Sequence, residues 1–200
     1  LAIFGVLKRD ELDLRAPGLL LLLALSAYLA PAALWRVPAL VLGTAATKAG
    51  YAKKAAAGIA QEKGGRRGPG NALSKTTVPA LAAVFAATTD QPVLFLLALA
   101  GAFATAAMDT VSSEIGKAYG RRTFLITTLR PVPRGTDGAV SLEGTLAGLA
   151  AAFALGGLGW GLGLYPALGA AAVVVAAFVA TTLESLVGAT TDGTLEVATM

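Results

Sequence analysis

Between Glu143 and Glu184 lie 40 consecutive residues without Asp, Glu, Lys or Arg, and this run decides the class of fold. A helix rises about 1.5 Å per residue, so roughly 20 apolar residues span the hydrocarbon core of a bilayer. The run is long enough for two crossings, with the Gly-rich stretch Gly156 to Pro166 as the turn between them. Ala16 to Trp35 is an uncharged run of 20, and 18 more residues separate Asp90 from Asp109. Thr76 to Thr89 and Val37 to Thr47 supply only 14 and 11; they cross only if helix continues into their flanks. Asp90, Gln91 and Pro92 suit the turn of a further hairpin. Composition agrees, with 56% hydrophobic and 14% charged residues and a mean hydropathy of +0.70, against a charged share of about 25% in soluble domains. The reading is an all-α polytopic integral membrane bundle of about six transmembrane segments, one membrane-embedded domain over residues 1–200 with its polar loops on one face.

Charge placement follows the same plan. With six crossings, 15 of the 16 basic residues fall in segments on one side, leaving Arg36 alone on the other. Loops retained in the cytoplasm or its equivalent collect Lys and Arg. The net charge of +4 is thus mainly an orientation signal, and no aromatic and basic surface suggests nucleic acid as a partner. Gly144 to Gly148 and Gly157 to Gly161 have the small-residue spacing that lets helices approach closely in lipid. No long internal repeat supports an inverted-repeat transporter.

The chain holds neither His nor Cys. That removes imidazole acid–base catalysis, thiolate nucleophiles, disulfides and the zinc, haem and iron–sulfur sites built on those side chains. Chemistry must run on carboxylates, hydroxyls, Lys, Arg and an oxygen-preferring metal such as Mg²⁺.

Three polar stretches can carry it. In the first, Ala60 to Asn71 and on to Lys75, repeated glycines let backbone amides curl toward an anion while Lys63, Arg66, Arg67 and Lys75 supply charge. It is no Walker A loop, because Asn71 stands where that motif needs Lys; the plainer alternative is a basic loop that touches anionic lipid. In the second, Gly101 to Gly120, a hydrophobic helix runs into acids and hydroxyls, with Thr105, Asp109, Ser113 and Lys117 on one stripe, Ser112 and Gly116 beside them and Glu114 on a neighbouring stripe. An ionised Asp109 at the membrane boundary is costly unless paired or metal-bound; the alternative is a helix emerging into water. In the third, Thr127 to Thr145, prolines and glycines shape a loop in which Arg130 and Arg134 can grip phosphate oxygens and Thr136, Ser141 and Thr145 add donors. Asp137 and Glu143 are candidate metal ligands, although Asp137-Gly138 also suits a turn and Glu143 the first turn of a helix.

The segments Asp109 to Gly120, Leu125 to Thr128 and Val132 to Gly148 resemble the membrane family that contains the phytyl-phosphate kinase of plastids and cyanobacteria. Gly43 to Lys48, Ala55 to Ala60, Gly64 to Gly70 and Glu184 to Thr190 look like the same family, so the likeness covers about residues 40–190. It implies phosphoryl transfer from a nucleoside triphosphate, CTP the expected donor, to a prenyl monophosphate. Phytyl phosphate is the expected acceptor and phytyl diphosphate, for tocopherol and phylloquinone synthesis, the product. It also implies a plastid envelope or photosynthetic bacterial membrane, with the active face toward stroma or cytoplasm. The chain opens at Leu1 and closes on Asp192 to Met200, unlike the family pattern, so a family helix is expected to be missing at one or both ends.

On this resemblance the catalytic set is Asp109, Glu114, Lys117, Arg134 and Asp137. Arg66, Arg67, Asn71, Ser112, Ser113, Arg130, Thr136 and Ser141 would hold phosphates, and Asp109, Glu114 and Glu143 would hold Mg²⁺. The acceptor phosphate is already an anion and needs no general base, so the lack of His is no obstacle. What the transfer requires is alignment and charge neutralisation. The competing reading is a transporter or flippase for an ion or lipid phosphate, which would place polar groups near mid-membrane.

Overall fold

The computed structural model describes residues 35–60 and 69–197. The elements are α1 (residues 35–48), α2 (Tyr51–Ala56), α3 (Pro69–Thr88), α4 (Pro92–Tyr119), β1 (Thr123–Leu125), β2 (Ala139–Ser141), α5 (Leu142–Gly161) and α6 (Ala167–Val197). The helical membrane bundle is as expected, with one small two-stranded sheet added.

Helix α4 is the axle, packing against α3, α5 and α6. Its 28 residues make it about 42 Å long, roughly 12 Å more than the hydrocarbon core is thick. Pro92 sits in its first turn, where a missing N–H costs nothing. The face of α4 turned to its neighbours is made of Leu99, Ala100, Phe103, Ala104, Ala107 and Met108, meeting Ala82 and Ala83 of α3, Ala151, Ala152 and Leu155 of α5, and Val173, Val174 and Ala177 of α6. Alanine dominates because apolar burial gives helices no advantage over lipid, so close backbone approach has to hold them. Larger apolar side chains such as Phe153, Trp160, Leu168 and Val175 point outward, toward the hydrocarbon.

Glycine sets the α4–α5 contact. A Cβ on Gly144 would lie 2.5 Å from the Ser112 carbonyl oxygen, and one on Gly148 3.0 Å from that of Met108. The second expected packing motif behaves differently: Gly157 and Gly161 face open space, while Gly156 and Gly159 meet α6 and the Tyr165 ring. Helical periodicity puts 156 and 159 on one face and turns 157 and 161 away from it.

The turns fall close to their expected places. Residues 89–91 join α3 to α4, and 162–166 join α5 to α6, near the end of the predicted Gly156 to Pro166 stretch. At that end of the bundle Trp35 Nε1 donates to the Leu155 carbonyl at 3.1 Å, Tyr165 donates to that of Gly156 at 3.0 Å, and their rings stack at 6.5 Å.

The other end collects α2, the end of α4, the 120–141 segment and the last turns of α6. Gly50 takes a left-handed φ of 64°, and a Cβ there would sit 2.8 Å from that of Ala118. Only Gly meets both demands easily. Gly138, with φ 73°, lies so close to α6 that a Cβ would meet Ala189 at 2.4 Å.

Three described helices, α4, α5 and α6, are long and apolar enough to cross a membrane. In α3 the apolar part is shorter, Thr77–Thr88, and the Ala16 to Trp35 run lies almost wholly outside the described residues. The six-crossing count therefore stays a proposal. The Gly-rich loop expected to run on to Lys75 gives way to helix at Pro69, because a proline suits the first helical turn and starts α3 early.

Candidate functional site

The site begins where α4 leaves its apolar half. Asp109, Ser112, Ser113, Gly116 and Lys117 occupy one side of this helix and form one wall of a cavity of about 300 Å³. The stripe read from the sequence is thus assembled, except for Thr105, whose hydroxyl returns to its own helix at the Gly101 carbonyl, 2.8 Å away.

The 120–141 segment closes a second side. Strands β1 and β2 pair antiparallel with Thr123 opposite Ser141 and Leu125 opposite Ala139. The far edge of β1 takes up the chain around Pro131: Leu125 N–H donates to the Arg130 carbonyl at 2.9 Å, Val132 N–H to that of Thr123 at 3.0 Å, and the Thr123 hydroxyl to that of Val132. This fold-back presents Gly135, Thr136, Asp137 and Gly138 to the cavity. Ser141 is buried and caps α5, accepting from Gly144 N–H at 3.2 Å, so α5 starts at the cavity wall with its unpaired amide end near it.

Helix α6 supplies the third side with Phe178, Thr181, Thr182, Glu184, Ser185 and Gly188. Most helical hydroxyls nearby are spent on their own backbone: Thr182 donates to the Phe178 carbonyl at 2.7 Å and Ser185 to that of Thr181 at 3.0 Å. Thr181 differs. The residue is 8% exposed, and its Oγ1 has no hydrogen-bond partner among the described residues. A buried polar group left so costs roughly 1–3 kcal/mol.

Among the described residues the lining carries three carboxylates, Asp109, Asp137 and Glu184, and one cation, Lys117. Such a wall repels a phosphate unless a cation intervenes. No three acids among the described residues sit close enough to form a metal cage. Mg²⁺, which keeps several waters and takes one or two carboxylates together with substrate phosphates, suits this donor set.

The predicted residues divide accordingly. Asp109, Ser112, Ser113, Lys117, Thr136, Asp137 and Ser141 meet around one cavity. Glu114 does not join them: it is buried on another face of α4, with Oε2 2.5 Å from Lys54 Nζ. Lys54 also donates to the Thr47 carbonyl at 2.9 Å, capping α1. Glu143 accepts from Arg121 N–H at 3.3 Å in the first turn of α5, where an acid complements the helix dipole. Of the three expected metal ligands, Asp109 alone lines the cavity. Arg130 and Arg134 are exposed on the hairpin, outside the lining. Asn71 falls in the first turn of α3, and Arg66 and Arg67 lie outside the described residues.

Residues 2–199 match the family model described as integral membrane protein DUF92. The chain belongs to this family. Within it, the chain is 52% identical over 74% of its length to an uncharacterised membrane protein of Synechocystis, covering 58% of that protein. It is 46% identical over 74% of its length to the chloroplastic protein VTE6 of Arabidopsis thaliana, covering 46% of that protein. It is also 35% identical over 60% of its length to an uncharacterised membrane protein of Methanocaldococcus jannaschii, covering 48% of it. The chain spans about half the length of the curated relatives it matches. No solved structure matches it.

The start of the Glu184 to Thr190 segment, with the two threonines just before it, held site residues that the sequence reading did not assign. Thr181, Thr182, Glu184 and Ser185 end the 40-residue uncharged run with hydroxyls and an acid, and all four line the cavity.

Proposed function

We propose that the protein transfers the γ-phosphoryl group of a nucleoside triphosphate, CTP as donor, to a prenyl monophosphate, with phytyl phosphate as acceptor. The observation that carries this reading is the cavity at the basic end of a membrane bundle, acid-lined and rich in hydroxyls, with one wall of lipid-facing helix. Membership of an integral membrane family with a chloroplastic relative, VTE6, supports a plastid or cyanobacterial membrane as its place.

Asp109 and Asp137 would hold Mg²⁺, which when bound supplies positive charge to phosphate oxygens that the acids would otherwise repel. Lys117 would face the transferred group, and Arg130 and Arg134, exposed on the segment whose residues 135–138 line the cavity, would draw the anionic donor toward it. An acceptor phosphate oxygen forms the new P–O bond to the γ-phosphorus. The bond to the bridging oxygen breaks, and the nucleoside diphosphate leaves with its electron pair. No proton has to be removed from the acceptor, so positioning and charge suffice. A cavity at one end of the bundle supports this reading above transport, for which polar groups are needed at mid-membrane.

The test is incubation of the purified full-length protein with phytyl phosphate, Mg²⁺ and each nucleoside triphosphate in turn. Phytyl diphosphate should appear with at least one of them, and its absence with all four rejects the reading.

A further inference from the structure

One buried hydroxyl in the cavity wall departs from the habit of most helical hydroxyls in the chain. Thr88, Thr105 and Thr182 donate to the carbonyl four residues back, and Thr190 to the one three back. Thr181, more deeply buried than any of them, makes no such bond, yet it lines the cavity. Lone hydroxyls in helices normally take the backbone carbonyl available to them. One that is buried, unpartnered and turned to a cavity is a donor and acceptor held for a ligand.

Its surroundings say what kind of ligand. One turn earlier on α6, Phe178 lines the same cavity and is 42% exposed on the outside of the bundle. Met108 of α4, also lining, is one residue deeper in the bundle than Asp109. Toward the watery end stand Ser185, Lys117 and Asp137. The cavity is therefore graded, apolar where it meets the hydrocarbon and polar where it meets water. A molecule that fits both halves has an anionic head and an apolar tail.

We propose that α6 is the acceptor track: Thr181 donates a hydrogen bond to an oxygen of a lipid monophosphate, and Phe178 packs against the first isoprenyl carbons as the tail passes into the bilayer. This rests on the kinase reading for its choice of acceptor, and it goes further in separating the acceptor's residues from the donor's.

Thr181→Val keeps the shape of the side chain and removes only the hydroxyl. The full-length variant should raise the KM for phytyl phosphate at least tenfold while the nucleotide KM stays within twofold, and Thr181→Ser should restore it. A change confined to the nucleotide KM, or no change in either, overturns the assignment. Phe178→Ala should reduce the preference for phytyl phosphate over dimethylallyl monophosphate at least fivefold; an unchanged preference removes Phe178 from the track. Binding is read separately, as the thermal shift that phytyl phosphate gives the detergent-purified protein and inorganic phosphate does not. That shift should vanish in Thr181→Val. If wild type shows the shift but no turnover with any nucleotide, the kinase reading fails and the track stands; if wild type turns over and Thr181→Val matches it in KM and shift, the track fails alone.

Discussion

Lys54 and Glu114, 60 positions apart in sequence, form an ion pair in which both side chains are 1% exposed. Because Lys54 also holds the Thr47 carbonyl, this contact fastens the end of α1 to the polar half of α4, one residue from Ser113 and three from Lys117. Removing Glu114 leaves the Lys54 charge buried without this counterion, which costs about 3–5 kcal/mol. Glu114→Ala should therefore lower the midpoint of thermal unfolding in detergent markedly, with Lys54→Met/Glu114→Leu recovering much of the loss. Equal stability of Glu114→Ala and wild type contradicts this role.

The α4–α5 contact gives a second prediction. Gly144→Ala would push a methyl to within 2.5 Å of a backbone oxygen, and overpacking of this kind costs about 1–3 kcal/mol. Gly161→Ala meets nothing within 4 Å and should leave stability unchanged within about 0.5 kcal/mol. Unfolding midpoints of the two variants in the same detergent should differ in that order.

Within the cavity, the acids should be unequal. Asp109→Asn and Asp137→Asn should each reduce turnover by at least a hundredfold while insertion and unfolding temperature are kept. Glu143→Gln, whose carboxylate faces the Arg121 amide outside the cavity, should lose less than tenfold. A steady-state comparison of the three checks the proposed metal ligands, and normal turnover in Asp109→Asn removes it from the site.

Metal dependence follows from the lining's excess of acid. Chelation with EDTA should abolish turnover, and added Mg²⁺ should restore it. Ca²⁺, larger and looser in geometry, should restore far less. Full activity in EDTA contradicts a metal-bridged site.

Much of this was legible in one dimension. The uncharged runs located the α5–α6 hairpin, and Asp90 to Pro92 marked the turn before α4, because the bilayer fixes helix length and punishes charge. The spacing of Asp109, Ser113 and Lys117 gave the cavity wall directly, since helical periodicity is rigid. Glu114 was harder: an acid next to that stripe looks like a ligand until the third dimension supplies Lys54 from a separate helix. Glu143 had two readings in the sequence, metal ligand and first turn of a helix, and the structure takes the second; Ser141 lines the cavity and also caps α5. Phe178 gave no local signal, and the hydroxyls of Thr181 and Thr182 beside Glu184 gave one too slight to separate from packing until an exposed ring and a buried hydroxyl are found in the same cavity.

The most direct measurement follows the phosphorus. Full-length protein with phytyl phosphate, Mg²⁺ and CTP labelled at the γ position should yield phytyl diphosphate carrying the label, and CTP labelled at the α position should yield unlabelled lipid. Label arriving from the α position would mean nucleotidyl transfer instead, and lipid that takes no label from the γ position of any nucleoside triphosphate would contradict the phosphoryl-transfer account.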